Sequence, residues 1–159
     1  MDCFHVIYIG CGCGLFHATA YTVKAYLPVR GTDAQGSGHY GASRGKRKHK
    51  GIDFACYPET DIYPFCSGKV TKLGKPYLDN PKTHDINEYE RYDYVQITDE
   101  NDIDHRYFYV EPQVEVGDIV STDTMIGISQ ELHYQGITQH VHYEVKRKGK
   151  YLNPEDFVG

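Results

Sequence analysis

Two short segments carry the side chains best suited to chemistry: HKGIDFA, with His49, Gly51 and Asp53, and HVHYEV, with His140 and His142. In extended chain, successive side chains alternate between faces, so His49 and Asp53 share one face and His140 and His142 share another. Val141 and Tyr143 then point the opposite way. Gly51 removes the side chain that would otherwise fill the space between His49 and Asp53. A sheet that brings the two segments together gathers three imidazoles and a carboxylate into one patch. Nitrogen and oxygen donors of this kind hold zinc, and catalytic zinc sites take three protein ligands while keeping a position for water. Four candidates leave one group over, and a hydrolase needs such a group as a general base. Any one pair would also fit ordinary histidines on a sheet; two same-face pairs favour the metal.

Other chemistries lack their signatures. There is no glycine-rich loop ending in Lys-Ser or Lys-Thr, and no zinc-finger spacing. Cys11 and Cys13 are too close for a zinc knuckle, and with Cys3, Cys56 and Cys66 the count of five is odd, so pairing cannot be complete. Cys56 and Cys66 bracket a ten-residue step and are near enough in sequence for a disulfide in an oxidising compartment, and equally fit two small buried thiols. The formal net charge of −5 is the wrong sign for a chain held to nucleic acid by its overall field. The basic run 44–50 (RGKRKHK) reads as a solvated loop rather than a phosphate-binding face.

The elements that must position these residues read as strands. At 159 residues, 40% hydrophobic and 25% charged, the chain has the make-up of one globular domain. Short β-rich runs separated by turn residues fall at 51–55, 61–65, 68–73, 92–98, 106–110, 118–120, 125–129 and 140–146. They predict an all-β domain. The Gly- and Ser-rich stretch 31–45 is expected to be a loop with no core, and 130–135 a short helix or helical turn. The polar insertion 75–91, with Pro76 and Pro81, predicts a surface excursion of the kind that walls a groove. The uncharged stretch 6–23 is interrupted by Gly10, Gly12 and Gly14 and is not preceded by Lys or Arg, which favours an N-terminal strand or docking arm over a leader or a transmembrane segment. The expected organisation is an arm or strand over 1–35 followed by a domain over 36–159.

Beyond the two histidine segments, Val70, the turn from Val114 to Val120, Ile126 with Gly127, Glu144 with Val145, and Asn153 with Pro154 follow in a set order. Together they resemble the lysostaphin/LytM-type zinc metallopeptidases, over roughly three quarters of the chain. That family carries His-x-x-x-Asp, a V-x-x-G-D-x-V turn and His-x-His leading to Glu-Val. The resemblance departs at one position. The family usually has a histidine before the V-x-x-G turn, and Tyr109 of RYFYVEPQVEVGD stands there. With the approach GHYGASRGKRKHKGID and the YQGITQHVH ending, this also resembles the branch containing phage members and leukocyte cell-derived chemotaxin.

The resemblance implies a mainly antiparallel sheet with a groove, the duplicated hybrid motif of LytM-like domains. It implies Zn2+ held by His49, Asp53 and His142, with His140 as the catalytic histidine. A tyrosine in place of the family histidine can still donate a hydrogen bond to an oxyanion, which gives Tyr109 a catalytic role. The implied substrates are peptidoglycan peptides, cleaved in an extracytoplasmic, bacterial-envelope or phage-virion setting, with assembly into a virion or envelope complex. The alternative is a catalytically silent zinc-containing binding or structural module of the same fold.

Overall fold

The computed structural model describes residues 27–77 and 91–158. The uncharged stretch 6–23, Cys3, Cys11 and Cys13, and most of the insertion 75–91 lie outside them. Fourteen strands, all paired antiparallel, and a single 3-10 turn at Pro154–Phe157 make up the described residues, with no α-helix among them. The fold is all-β.

The main sheet runs from β11 (Ile119–Val120) through β7 (Gly68–Gly74), β8 (Tyr94–Thr98) and β9 (Ile103–Phe108) to β13 (His140–Arg147). The far edge of β13 is shared: its first half pairs with β5 (Ile52–Ala55) and its second with β14 (Lys150–Leu152). A smaller sheet orders β10 (Val110–Pro112), β12 (Gly127–Ser129) and β6 (Asp61–Ile62). Two hairpins precede β5: β1 (Thr32–Asp33) with β2 (Gly36–Ser37), and β3 (Ser43–Arg44) with β4 (Arg47–Lys48).

The period-2 pattern divides the main sheet into a dry face and a wet one. Ile52, Phe54, Val95, Ile97, Tyr107, Val141, Tyr143 and Val145 are buried together in the core, joined by Ile62, Val110 and Ile126 from the smaller sheet. Tyrosine serves this core because its polar tip finds a partner. The Tyr107 hydroxyl accepts from the Phe65 amide at 2.9 Å, and the Tyr143 hydroxyl lies 2.6 Å from Nδ1 of His105. Asp53, His142 and Glu144 take the other face, because register sets His142 opposite both Asp53 and Phe108.

Three expectations need correction. The run 106–110 is not one strand: β9 ends at Phe108 and β10 begins at Val110, in different sheets, and Tyr109 between them has φ 64°. Residues 130–135 form no helix, because the side-chain amide of Gln139 donates to the Leu132 carbonyl at 2.8 Å and its oxygen accepts from the Leu132 amide at 2.7 Å. Those are the backbone groups a helix would use. The stretch 31–45 is not bare loop: it carries β1, β2 and β3 and encloses the buried Arg30. Of the two readings of Cys56 and Cys66, the structure has the free thiols. Burial pushes both thiols up, Cys66 to about 12, which leaves them unreactive near neutral pH.

Of the expected N-terminal arm, the described residues just before β1 pack on β5. Val29 bridges to Phe54, and the Arg30 amide donates to the Asp53 carbonyl at 2.7 Å. Residues 28–30 thus lie against β5, the strand that carries Asp53.

Candidate metal centre

His142 projects from β13 directly opposite Asp53 on β5, and His49 enters from the segment that links β4 to β5. Their donor atoms converge. Nδ1 of His142 lies 2.7 Å from Oδ1 of Asp53, Nε2 of His49 lies 3.2 Å from the same oxygen, and the two imidazole nitrogens are 3.1 Å apart. These three residues form a group able to hold a metal ion. Gly51 makes the approach possible: a Cβ there would sit 2.6 Å from Cε1 and 2.7 Å from Nε2 of His142 and would collide with the Tyr143 carbonyl.

The far nitrogen of each ring is tied to an acceptor. Nδ1–H of His49 donates to the His39 carbonyl at 2.8 Å, and Nε2–H of His142 points to Oε1 of Glu144 at 3.3 Å. With a metal bound, the nitrogens turned towards Asp53 would carry the lone pairs, the arrangement in which an outer partner fixes the tautomer of a metal-ligating imidazole. Glu144 is itself held by Nη1 of Arg106 at 3.1 Å.

Asp53 is only 2% exposed, yet its charge is balanced. Nε and Nη2 of Arg30 donate to Oδ2 at 3.1 and 2.8 Å, which leaves Oδ1 for the histidines. Burial opposes ionisation, but hydrogen bonds from His142 and His49 hold the carboxyl well below the usual carboxylate range. For His142, burial disfavours the proton, while the bonds to Asp53 and Glu144 outweigh it and raise the pKa.

His140 stands beside this trio without joining it. Its Nδ1–H donates to the Thr138 carbonyl at 2.6 Å, and its Nε2 faces Oδ1 of Asp53 at 3.7 Å. Burial lowers its pKa against the attraction of Asp53, so the ring is kept neutral with a free lone pair on Nε2.

Tyr109 flanks His140, ring edge against ring face, at 5.6 Å between centroids. Its left-handed backbone is rare for a bulky residue and is held on both sides. The Tyr109 amide donates to the Asp93 carbonyl at 2.8 Å, and the Tyr109 carbonyl accepts from the Gln130 amide at 2.9 Å. The hydroxyl lies 2.6 Å from that of Tyr77, and burial pushes the phenol up to about 12. It stays protonated at neutral pH and can donate.

All five residues singled out in the sequence line one open groove of about 540 Å³: His49, Asp53, His142, His140 and Tyr109. Sequence reasoning gave no role to Arg30, Glu144 or Tyr77. Glu144 carried a signal, since it shares the face of His142 two residues on. Arg30 carried none, its partner being 23 residues away. Tyr77 comes from the start of the insertion expected to wall a groove.

A sequence model described as peptidase family M23 matches residues 47–154. The chain is similar to the catalytic domain of the antimicrobial peptidase lysostaphin from Staphylococcus simulans, at 20% identity and a TM-score of 0.56, covering 79% of this chain and 90% of that one. It is similar to LytU at 24% identity and a TM-score of 0.61, over 88% of this chain and 90% of that one. A mutant of the catalytic domain of EnpA, a prophage-encoded M23 protein from Enterococcus faecalis, aligns at 22% identity and a TM-score of 0.55, over 76% of this chain and 88% of that one. A search among curated proteins returns no match.

Proposed function

This chain belongs to peptidase family M23, and from that premise we propose that it is a zinc-dependent endopeptidase that hydrolyses peptide bonds of bacterial peptidoglycan, outside the cytoplasm. The observation that carries the reading is the convergence of three donor atoms, Nε2 of His49, Oδ1 of Asp53 and Nδ1 of His142, beside a fourth, unspent imidazole. Tetrahedral zinc with ligand bonds of about 2.0–2.1 Å spaces its donors roughly 3.3 Å apart. The observed separations of 2.7–3.2 Å are close to that spacing, and the donor set of two nitrogens and one oxygen fits the metal. Zinc held there would polarise the scissile carbonyl and lower the pKa of a bound water to about 7.

The chain's own residues supply the rest. Arg30 occupies Oδ2 of Asp53 and so fixes which carboxylate oxygen faces the donors. His140, neutral and anchored through Nδ1–H, accepts the proton of the attacking water on Nε2 and returns it to the leaving amine. Tyr109, which can accept from Tyr77, donates a hydrogen bond from its hydroxyl to the oxyanion. Lysostaphin is an antimicrobial peptidase and EnpA is encoded by a prophage. Likeness to them supports a peptidase that acts on bacterial cells in a phage or envelope setting. Among the described residues no helix is long and apolar enough to cross a membrane.

One observation favours the second reading, a zinc-containing module without turnover: a phenol bonded to Tyr77 stands where relatives usually have histidine. Three variants assayed on purified peptidoglycan separate the two. For a peptidase, Tyr109→Phe lowers the rate about 10²–10³-fold with zinc retained, the loss of one oxyanion donor. His140→Ala abolishes turnover with zinc retained. A parent without turnover that gains it through Tyr109→His would establish the silent module instead.

A further inference from the structure

The basic run 44–50, expected to be a solvated loop, forms the β3–β4 hairpin, and Arg44, Arg47 and Lys48 from it line the groove of the metal centre. The protein is acidic overall, so this wall is a local reversal of sign. The groove's own acidic groups do not absorb it. Asp53 is bonded through both oxygens, Oδ2 by Arg30 and Oδ1 by the histidines, and Glu144 is held by Arg106.

The two arginines nearest Asp53 differ in how fully they are used. Arg30 spends all three guanidinium nitrogens, on Asp53, on the Gly36 carbonyl at 3.0 Å and on Asp33. Arg44 reaches Oδ2 of Asp53 only at 3.5 Å through Nη2, and its Nη1 is buried with no hydrogen-bond partner. Gly36, with φ 94°, admits it: a Cβ there would collide with that Nη1. A buried charged donor without an acceptor is costly, and a rotation of the Arg44 side chain, which lines the groove, that turns Nη1 to an incoming anionic oxygen would remove the cost. Arg47 and Lys48 are exposed on the same hairpin and add attraction. Tyr77, Tyr109 and Tyr134 line the same groove, a surface suited to the uncharged body of a peptide.

We infer that Arg44, with Arg47 and Lys48, forms a carboxylate-binding subsite beside the metal centre, so that the groove selects peptides bearing a free carboxylate over neutral ones such as oligoglycine. The inference rests on the peptidase reading for the identity of the site, but not for its test. Arg44 is a specificity residue in this account: a guanidinium fork takes a carboxylate through two parallel bonds.

The test uses two stem-type tetrapeptides, one with free carboxylates and one with carboxamides, titrated calorimetrically into the zinc-loaded full chain. Hydrolysis of whole peptidoglycan is scored separately. The acid should bind about 10–100-fold more tightly, the scale of a hydrogen bond to a charged group. The preference should shrink at high salt. It should fall below about threefold in Arg44→Gln and shrink in the exposed double variant Arg47→Gln/Lys48→Gln. Should Arg44→Gln fail to fold, the double variant carries the test. Equal binding of acid and amide by the parent, or a preference intact in both variants, overturns the subsite. A preference for the acid in a protein that cuts no peptidoglycan removes the peptidase reading and leaves the subsite standing.

Discussion

Nε2–H of His142 is aimed at Glu144, and that one contact decides which of the ring's nitrogens meets Asp53. Replacing Glu144 with Gln keeps the shape and removes the charge that favours this orientation. Zinc affinity, read by competition with a chromophoric chelator, should fall about 10–100-fold, the usual cost of losing an outer partner of a ligating histidine. Unchanged affinity would mean the contact orients nothing. That His140 and His142 share a face was legible because alternation along a strand needs only residue spacing; His49 meets Asp53 from the linker before β5 instead. The environment of Asp53 was not: Arg30 reaches it only because residues 28–30 lie along β5, and no local pattern in the sequence encodes that docking.

The elements place these residues by register and by interruption. Pairing of β13 with β5 sets His142 opposite Asp53, and the gap at Gly51 lets the His142 ring lie over the strand. Gly51→Ala should therefore cost metal binding and folding together, because its Cβ meets the Tyr143 carbonyl as well as the His142 ring: zinc content near zero and a clearly lower thermal midpoint. A fully loaded Gly51→Ala protein would show that the ring has room to move. Tyr109 reaches the groove because β9 and β10 belong to different sheets and its left-handed backbone makes the change. Strands with apolar alternation, such as β5, β8 and β13, were readable. β1 to β4 were not, since two-residue strands in Gly- and Ser-rich chain hold their pairing through turns and through Arg30, not through a hydrophobic pattern. The segment 130–135 looked helical because its composition allows a helix; the distant Gln139 side chain takes the backbone groups instead.

For the molecule as a whole, stability at acid pH should reflect the carboxylates that tie its N-terminal segment down. Asp33 is held at about 2 against an ordinary 3.8: burial opposes its charge, but Arg30 and the amides of Thr138 and Gln35 outweigh that. The stabilisation is present above about 4 and is lost as pH falls through about 2. Denaturant midpoints should drop over that window in the parent and drop less in Asp33→Asn, which begins lower; identical slopes would remove Asp33 from the account. The central claim concerns metal-assisted hydrolysis at the His49, Asp53 and His142 centre. Its most direct test is release of soluble peptide from purified peptidoglycan by the full chain, before chelation, after it, and after one equivalent of zinc is restored. The account predicts turnover, its abolition, and its recovery in the parent, with no recovery in His49→Ala or His142→Ala. Hydrolysis that survives complete removal of metal, or a zinc-loaded protein that releases nothing, would contradict it.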